Sequence, residues 1–403
     1  MERRWTRRGA VAAGAGLIAG CIGDDDDVIA PDDGDDTADG DDDIGDPSGL
    51  VFAFAPSTVA AIDPAEAAVV AELSVGPDES WGDPRITADD ELFAIRQSPS
   101  QVVAIDPAGP EIVAEVDIGP GPVHLFAPRE AELWAHADEE GTFYVLDTNE
   151  YTVSHTVPSG RDEAGHGKLV YHDDFGDVGF ATNVTEPGIA VLDMAAYERT
   201  GFISFGDDGG THYKAYSPEN GRLYVQRTGV GETAVVEPEE RVVVDSLPYD
   251  GGMYLAPDGT VMALLDGDTI RFLDVTDPET PAISTVTVED AGPDTVRFHE
   301  ADDGLVAFTA PTMNDRTAVI DVEAGETIET LGVGDIERPE DARFLHRTAV
   351  VGDGYFMTPA DADGTVAIVD MDERSVEQVT VEPGVDTLQF VGDSGPGYTG
   401  RRQ

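Results

Sequence analysis

The sequence predicts an all-β protein, and more specifically an eight-bladed β-propeller. Three observations lead to this fold class: an apolar residue followed by an acid recurs eight times, a strand-like segment lies at a similar place in each repeat, and helical periodicity is nearly absent. No segment keeps an apolar period of 3.6 residues for more than about two turns. Strands must therefore supply the core.

The recurring acid sets the length of the repeat. Successive acids are 43, 41, 46, 44, 37, 47 and 49 residues apart, and each follows a strand-like run that meets a turn. A period of about 40 to 45 residues, built from short alternating strands, is typical of a four-stranded propeller blade. The eight acids are Asp63, Asp106, Asp147, Asp193, Glu237, Asp274, Asp321 and Asp370.

A second landmark is the segment expected to form the innermost strand of each blade. An eighth segment, 387–390, has no blade after it, and we expect it to pair with 50–54. The C-terminus would then complete the blade that the N-terminus begins, which leaves no sheet edge open. A seven-bladed ring is the alternative. The other seven segments are 85–87, 123–127, 168–171, 214–216, 253–256, 295–298 and 342–345.

The N-terminal residues predict a targeting signal rather than part of the folded domain. An arginine-rich start precedes a run of 12 small and apolar residues that ends before Cys21. That run is too short to span a bilayer, and residues 1–20 are interpreted as an export signal that resembles the twin-arginine and lipobox types. Cys21 is the only cysteine, so a disulfide within the chain is excluded and we expect Cys21 to carry lipid.

Composition predicts the rest of the domain organisation. Residues 21–48 join the lipidated cysteine to a stretch with 13 Asp and no basic residue, which we expect to be a disordered tether. The propeller is predicted at 49–394 and a C-terminal tail at 395–403.

The charge of the chain excludes some partners and indicates a source. The 82 acidic residues outnumber 23 basic ones, for a formal charge of −59, and no basic face is available to bind nucleic acid. Only Lys168 and Lys214 are lysines, beside 21 arginines. An excess of Asp with almost no Lys indicates a halophilic, archaeal protein, because carboxylates keep a surface hydrated in concentrated salt.

Two segments carry a resemblance to known propellers. Residues 182–193 and 216–225 resemble the repeats of YVTN-type surface propellers, and the same repeats are similar to those of the eight-bladed haem domain of cytochrome-type nitrite reductases. The resemblance covers roughly 49–394 and implies the fold. A Cys-x-x-Cys-His motif for haem c attachment is missing, as are the repeated Trp docking motifs of quinoprotein dehydrogenases. A glycine-rich phosphate-binding loop is also missing from the sequence, so we expect no nucleotide cofactor.

Four histidines converge in the predicted ring. His166 and His212 occupy matching positions at the start of the first strands of blades four and five, His124 lies at the corresponding place in blade three, and His136 ends the second strand of that blade. Imidazoles are the commonest ligands of transition metals, and Asp138 or Glu163 could assist them. The sequence therefore predicts a zinc or copper site at the channel mouth of blades three to five.

The two lysines leave an alternative open. Lys168 and Lys214 follow His166 and His212 by two residues, so they could form a positive funnel for a small anion or a carboxylate. They could also simply pair with acids in the blade interfaces. Exported zinc chaperones encoded beside transporters are similar in carrying histidines on such a scaffold, which favours the metal slightly.

The other histidines are interpreted as surface residues. His172, His299 and His346 are expected at the turn after the first strand, on the opposite rim, and His155 on an outermost strand. Asn183 begins a glycosylation sequon in a predicted loop at the top rim.

These observations predict an exported binding protein, lipid-anchored through Cys21 at the extracellular face of the cell membrane. Binding is favoured over catalysis because the common hydrolase, zinc-protease and nucleotide motifs are missing. A lactonase-like or redox enzyme and a structural cell-surface interaction module remain as alternatives. No feature identifies a protein partner.

Overall fold

The computed structural model describes residues 44–392 apart from 88, 89, 162, 163, 303, 341 and 343. These residues form eight four-stranded antiparallel sheets, arranged as the blades of a propeller, which confirms the predicted fold class and blade number. The export signal, Cys21, nearly all of the tether and the C-terminal tail lie outside the described residues, and so does Glu163. Within the described residues, no helix is long and apolar enough to cross a membrane.

Blades one to four use the strands up to residue 204, plus one strand from the C-terminal end of the chain. Blade one is completed by a strand from the C-terminal end, and blade four contains a short 3₁₀ helix, η1 (Asp173–Phe175), after its first strand. The strands are β1 (Val51–Phe54), β2 (Thr58–Asp63) and β3 (Ala68–Ser74) of blade one; β4 (Trp81–Ile86), β5 (Leu92–Arg96), β6 (Gln101–Asp106) and β7 (Glu111–Asp117) of blade two; β8 (Pro122–Arg129), β9 (Glu132–Ala137), β10 (Thr142–Asp147) and β11 (Thr152–Pro158) of blade three; and β12 (Leu169–Val170), β13 (Val178–Ala181), β14 (Gly188–Asp193) and β15 (Glu198–Ser204) of blade four.

The remaining blades follow in chain order. Each runs from its innermost to its outermost strand, and the last strand of the chain returns to blade one. The strands are β16 (Gly210–Ser217), β17 (Arg222–Thr228), β18 (Glu232–Glu237) and β19 (Val242–Leu247) of blade five; β20 (Met253–Leu255), β21 (Val261–Asp266), β22 (Thr269–Asp274) and β23 (Ala282–Thr287) of blade six; β24 (Pro293–Ala301), β25 (Gly304–Pro311), β26 (Arg316–Asp321) and β27 (Glu326–Gly332) of blade seven; β28 (Val350–Gly352), β29 (Tyr355–Ala360), β30 (Thr365–Asp370) and β31 (Val376–Thr380) of blade eight; and β32 (Thr387–Phe390) of blade one.

The ring closes as the sequence predicts. β32 pairs antiparallel with β1, with Val51 opposite Phe390 and Phe54 opposite Thr387. Blade one therefore contains both ends of the propeller and has the order β3, β2, β1, β32. Such closure removes the exposed edges that two unpaired strands would leave.

The innermost strand of blade eight lies later than predicted. The sequence placed it at 342–345, but the strand is β28, and Phe344 is 77% exposed. The reason is Arg347, which is 1% exposed and donates hydrogen bonds to the carbonyls of Val333, Gly334 and Pro311. These bonds hold the chain in a loop ahead of the strand, because a buried guanidinium needs its donors satisfied.

The recurring acid has a local structural role. It ends the third strand of each blade, and where it is Asp its carboxylate caps the turn to the fourth strand: Asp193 Oδ1 accepts the amides of Ala195 and Ala196 at 3.0 and 2.9 Å. This is an Asx turn, which explains why an acid recurs there. The same bond to the amide two residues ahead is made by Asp63, Asp106, Asp147, Asp274 and Asp370.

The core lies between blades. The middle strands are buried along their length, as in β5, whereas the outermost strands expose most of their residues, as in β19. Eight clusters of buried apolar side chains occur among the described residues, one at each interface between adjacent blades. Each blade thus packs on two neighbours, and the innermost strands are held around a central channel.

Candidate functional site

The innermost strands carry extra residues near one rim. We call this the top rim, where the first strand of each blade begins and the second ends. In blade three, Pro122 and Leu125 pair with Ala137 and Ala135, so two residues of β8 oppose one of β9. Such a bulge re-aims side chains and is frequent beside functional sites. Similar register shifts in blades two, five and seven fall beside Asp83, His212 and Asp294.

Three of the predicted histidines meet at the top rim. One ring nitrogen from each of His124, His166 and His212 lies within 4.8 Å of the other two. Ring centroids are 4.6 Å apart for His124 and His166 and 4.8 Å apart for His166 and His212. Neighbouring blades three, four and five thus contribute one imidazole each, as the sequence predicted.

The chain before β12 brings His166 into the channel mouth. The His166 carbonyl accepts the amide of Val184 at 3.0 Å, and the next residue, Gly167, packs against the carbonyl of Thr182 more closely than a Cβ would allow. Any larger residue at position 167 would displace His166, because backbone atoms cannot move aside as a flexible side chain can.

A carboxylate holds His124 in one orientation. Asp83 Oδ2 lies 2.7 Å from His124 Nδ1. Burial opposes charge on Asp83, but the attraction and hydrogen bond of His124 outweigh it and lower the pKa of Asp83 to about 2. Burial, together with the Lys168 charge, lowers the pKa of His124 to about 4. At neutral pH Asp83 can only accept, so His124 Nδ1 carries the proton and Nε2 keeps its lone pair.

A second carboxylate joins two histidines. Asp138 Oδ2 lies 2.6 Å from His166 Nδ1, and Oδ1 lies 2.7 Å from His136 Nδ1. Burial alone would raise the pKa of Asp138, but the hydrogen bonds of His136 and His166 lower it well below its usual range. Asp138 is therefore ionised and turns the Nε2 lone pair of His166 toward His124.

His136 does not join the other three. The residue is fully buried, and its Nε2 lies 2.8 Å from Ser159 Oγ while its Nδ1 is held by Asp138. Both ring nitrogens are thus engaged. The structure places His136 behind the cluster, where it anchors Asp138.

The facing nitrogens of His124 and His166 need a cation between them. Their Nε2 atoms are 3.0 Å apart, while the Nδ1 atom of each faces a carboxylate. Two bare lone pairs at that distance repel each other, so either a proton or a metal ion must lie between them. A proton shared by this pair would still leave the imidazole of His212 without a partner for its Nε2 atom.

His212 supplies the third nitrogen. Its Nε2 is buried and has no hydrogen-bond partner among the described residues. Burial, then the charges of Lys168, His166 and His124, lowers the pKa of His212 well below its usual value. A buried neutral nitrogen without a partner is costly, which makes it a candidate ligand.

The two lysines line the same part of the channel. Lys168 Nζ lies 5.3 Å from the centroid of the Tyr213 ring, and that ring lies 4.4 Å from the His212 ring. Neither ammonium makes an ion pair or hydrogen bond with a described residue, so the predicted pairing with acids across the blade interfaces is not observed. Burial lowers the pKa of Lys168, and burial with the charges of Lys168 and Arg85 lowers that of Lys214 to about 7.

Of the histidines outside the cluster, His346 departs from its expected position. His155 is exposed on the outermost strand β11, as predicted, and His299 pairs with Asp372 at 2.7 Å. His346 was expected on the opposite rim, but it precedes β28 and therefore lies on the top-rim side of that strand, 3.5 Å from Asp294. The displaced innermost strand of blade eight is the cause.

Asn183 is 1% exposed, and its Oδ1 accepts bonds from the amide and hydroxyl of Thr185. Its side chain is thus part of the packed loop rather than a projecting surface group. Glycan addition there would have to precede folding.

Comparison with known proteins supports the fold. The chain matches no protein-family model and no curated protein sequence at a significant level. Among solved structures it is similar to dihydro-heme d1 dehydrogenase NirN, with 17% identity and a TM-score of 0.70 over 86% of this chain and 76% of that one. It is also similar to AztD from Citrobacter koseri, with 15% identity and a TM-score of 0.61 over 84% and 96%.

A third similar structure is the hydrazine synthase of Kuenenia stuttgartiensis, with 14% identity and a TM-score of 0.52 over 77% of this chain and 98% of that one. Identities this low establish a shared β-propeller and nothing finer. The function must therefore be argued from the top-rim residues themselves.

Proposed function

We propose that this protein binds a transition-metal ion, zinc foremost, through His124, His166 and His212 at the top rim. The observation that carries the proposal is the pair of His124 and His166 Nε2 atoms 3.0 Å apart, with a ring nitrogen of His212 within 4.8 Å of the cluster and the buried His212 Nε2 unpartnered among the described residues. One metal ion satisfies all three nitrogens, whereas one proton satisfies two. Three imidazoles with an open fourth position are typical of zinc sites that take a further ligand.

The spacing fits a site that contracts slightly on loading. Zinc lies about 2.0–2.1 Å from imidazole nitrogens, which places tetrahedral ligands about 3.3 Å apart. The His124 and His166 pair is already that close, and the widest separation in the triad is at most 4.8 Å. Rotation of the partly exposed His212 ring toward the pair supplies the remaining approach.

Asp83 and Asp138 are the supporting carboxylates. Each accepts the Nδ1–H of one ligand, so that Nε2 is left for the metal. Histidine ligands commonly donate their second N–H to such a group, which fixes the ring and raises its basicity. We assign His136 to this supporting layer, because it holds Asp138 and has no free nitrogen.

Zinc is favoured over copper by geometry. Cu²⁺ prefers a tetragonal arrangement, whereas three convergent imidazoles with one open position suit a tetrahedral ion. Copper(II) binds most nitrogen sites more tightly than zinc in absolute terms, so the metal recovered with protein purified from its host decides between them.

We further propose that the propeller is displayed outside the cell, held at the extracellular face of the membrane by lipid on Cys21. Support comes from the Arg-rich, apolar start and from the Asp-rich stretch that follows Cys21. A Cys21→Ala variant is expected in the soluble fraction rather than the membrane fraction. Equal membrane retention of both proteins would contradict the anchor.

Zinc titration tests the metal site. Dialysed protein, titrated in multimolar KCl with excess Mg²⁺ to occupy surface carboxylates, is expected to bind one Zn²⁺ tightly. The His166→Ala, His212→Ala double variant is expected to lose that binding, while His155→Ala, which removes an exposed histidine from β11, keeps it. Unchanged affinity in the double variant would overturn the proposal.

A further inference from the structure

The two lysines beside the triad form no direct ion pair with any residue that the structure describes. Both lie in the wall of blades four and five, each two residues after a proposed ligand. Neither forms an ion pair within the described residues, although 82 acids are available in the sequence. A buried ammonium group ordinarily needs such a partner, so the lack of a direct one among the described residues calls for an explanation.

The nearby acids that the structure describes already bind other groups. Asp83 accepts from His124 at 2.7 Å, and Asp138 accepts from His166 and His136. On the far side, Asp294 accepts the Arg347 amide at 2.9 Å and lies beside His346.

Cations accumulate around the same point. Arg85, on β4, directs its guanidinium to the carbonyl of Leu125, which is the residue after His124. With a divalent metal on the triad, the positive charge of the metal, the two lysines and the guanidinium exceeds the negative charge of the three described carboxylates Asp83, Asp138 and Asp294. Like charges in a confined, partly buried channel repel strongly, because solvent screens them poorly there.

We propose that the metal on His124, His166 and His212 takes a small carboxylate or oxyanion as its fourth ligand, and that Lys168 and Lys214 hold that anion's other oxygen atoms. This inference rests on the proposed metal site. The anion completes the coordination shell and gives both ammonium groups an acceptor. It turns two alternatives, a metal and an anion, into one ternary site.

The contact with Tyr213 places Lys168 for this task. Its Nζ lies over the Tyr213 ring, which adjoins His212, so the ammonium is kept within the channel and near the open side of the triad. A carboxylate oxygen bound to the metal leaves its second oxygen free to accept from an ammonium. Charge-assisted bonds of this kind are stronger than those between neutral groups.

Cobalt-loaded protein tests the ternary site. Co²⁺ occupies zinc sites and reports its ligands by visible absorption, so one-to-one Co²⁺ binding is measured first and acetate, azide or phosphate is then added at fixed ionic strength. Each anion that coordinates the cobalt is expected to change the visible absorption spectrum, and the change is expected to saturate as the anion concentration rises. Carboxylate and oxyanion preferences follow from the relative affinities of acetate and phosphate.

Substitution of the lysines tests whether they hold the anion. Lys168→Met and Lys214→Met are expected to leave Co²⁺ binding intact and to weaken anion binding about tenfold each, which is the size of one charge-assisted hydrogen bond. Arg316→Met, which removes an exposed cation from blade seven, is the matched control and is expected to change neither. Lys214→Gln replaces Lys214→Met if that variant does not fold.

The outcomes separate the two proposals. Failure of the native protein to bind Co²⁺ would overturn the metal site and the ternary site together. Stoichiometric Co²⁺ binding without any spectral response to anions, or with equal anion affinity in the native protein and the lysine variants, would overturn the ternary site alone.

Discussion

Two aspartates set the orientation of two of the three imidazoles of the triad. Asp83 and Asp138 each lie within 2.7 Å of an Nδ1 atom, so each converts a histidine with two equivalent tautomers into a ligand with one defined lone pair. Asp138 also binds His136, whose second nitrogen meets Ser159. Metal affinity is thus expected to depend on residues that never touch the metal.

Asp138→Asn tests this dependence. Asparagine keeps the size of the side chain but loses the negative charge that fixes His166, so zinc affinity is expected to fall 10- to 100-fold, as outer-shell changes typically do. Isothermal titration with zinc measures the effect. Asp372→Asn is the control, because Asp372 holds His299 at the same 2.7 Å but outside the triad. An equal or absent effect in the two variants would contradict the role of Asp138.

At this scale the sequence predicted part of the site. The matching positions of His166 and His212 in successive repeats identified the triad once the period was known, and Asp138 was named as a nearby acid. Asp83 was missed because one acid among 82 carries no signal. His136 was counted as a ligand because sequence places a residue on a rim but does not show what its nitrogens bind.

Among the secondary-structure elements, turns were easier to predict than register. Where the acid that ends a third strand is Asp, its carboxylate caps the following turn, which is local chemistry and therefore visible in the sequence. The bulges that turn His124 and His212 toward the channel depend on pairing with β9 and β17. The innermost strand of blade eight was misplaced because Arg347, a buried tertiary contact, holds that segment as a loop.

Ring closure by β32 makes a prediction about stability. Phe390 is 1% exposed, and its ring packs against Gly352 of blade eight, so Phe390→Ala leaves a cavity at the closing interface. We expect the free energy of unfolding to fall by about 3–5 kcal/mol.

Urea denaturation measures this loss, and Phe344→Ala is the matched control. Phe344 is 77% exposed, so the same truncation there is expected to cost no more than about 0.5 kcal/mol. Similar losses in the two variants would show that closure by β32 contributes little to the stability of the ring.

For the whole molecule, charge is the dominant property. A formal charge of −59 on 403 residues means that carboxylates of the folded protein repel one another in dilute buffer, which destabilises the compact state. Screening shortens the range of that repulsion from about 10 Å at 0.1 M salt to about 3 Å at 1 M. We therefore attribute the acidic composition to adaptation to the proposed saline surroundings. The two lysines, in contrast, belong to the proposed site in the channel.

Salt is accordingly expected to stabilise the fold. Between low and multimolar KCl we expect the melting temperature to rise by at least about 5 °C, which for a chain of this size corresponds to a few kcal/mol. Thermal unfolding at each KCl concentration measures the effect. The temperature series is repeated with sucrose at matched water activity as the control. A flat or falling melting temperature in KCl would contradict halophilic adaptation.

An acidic protein binds metal ions weakly at many carboxylates, so the ligands of the tightest zinc ion are the decisive quantity. X-ray absorption of protein loaded with one equivalent of zinc reports them directly. A triad of His124, His166 and His212 predicts three imidazole nitrogens at about 2.0–2.1 Å, with the outer-shell scattering of their rings, and one further light ligand. A shell of carboxylate and water oxygens without imidazole scattering would contradict it.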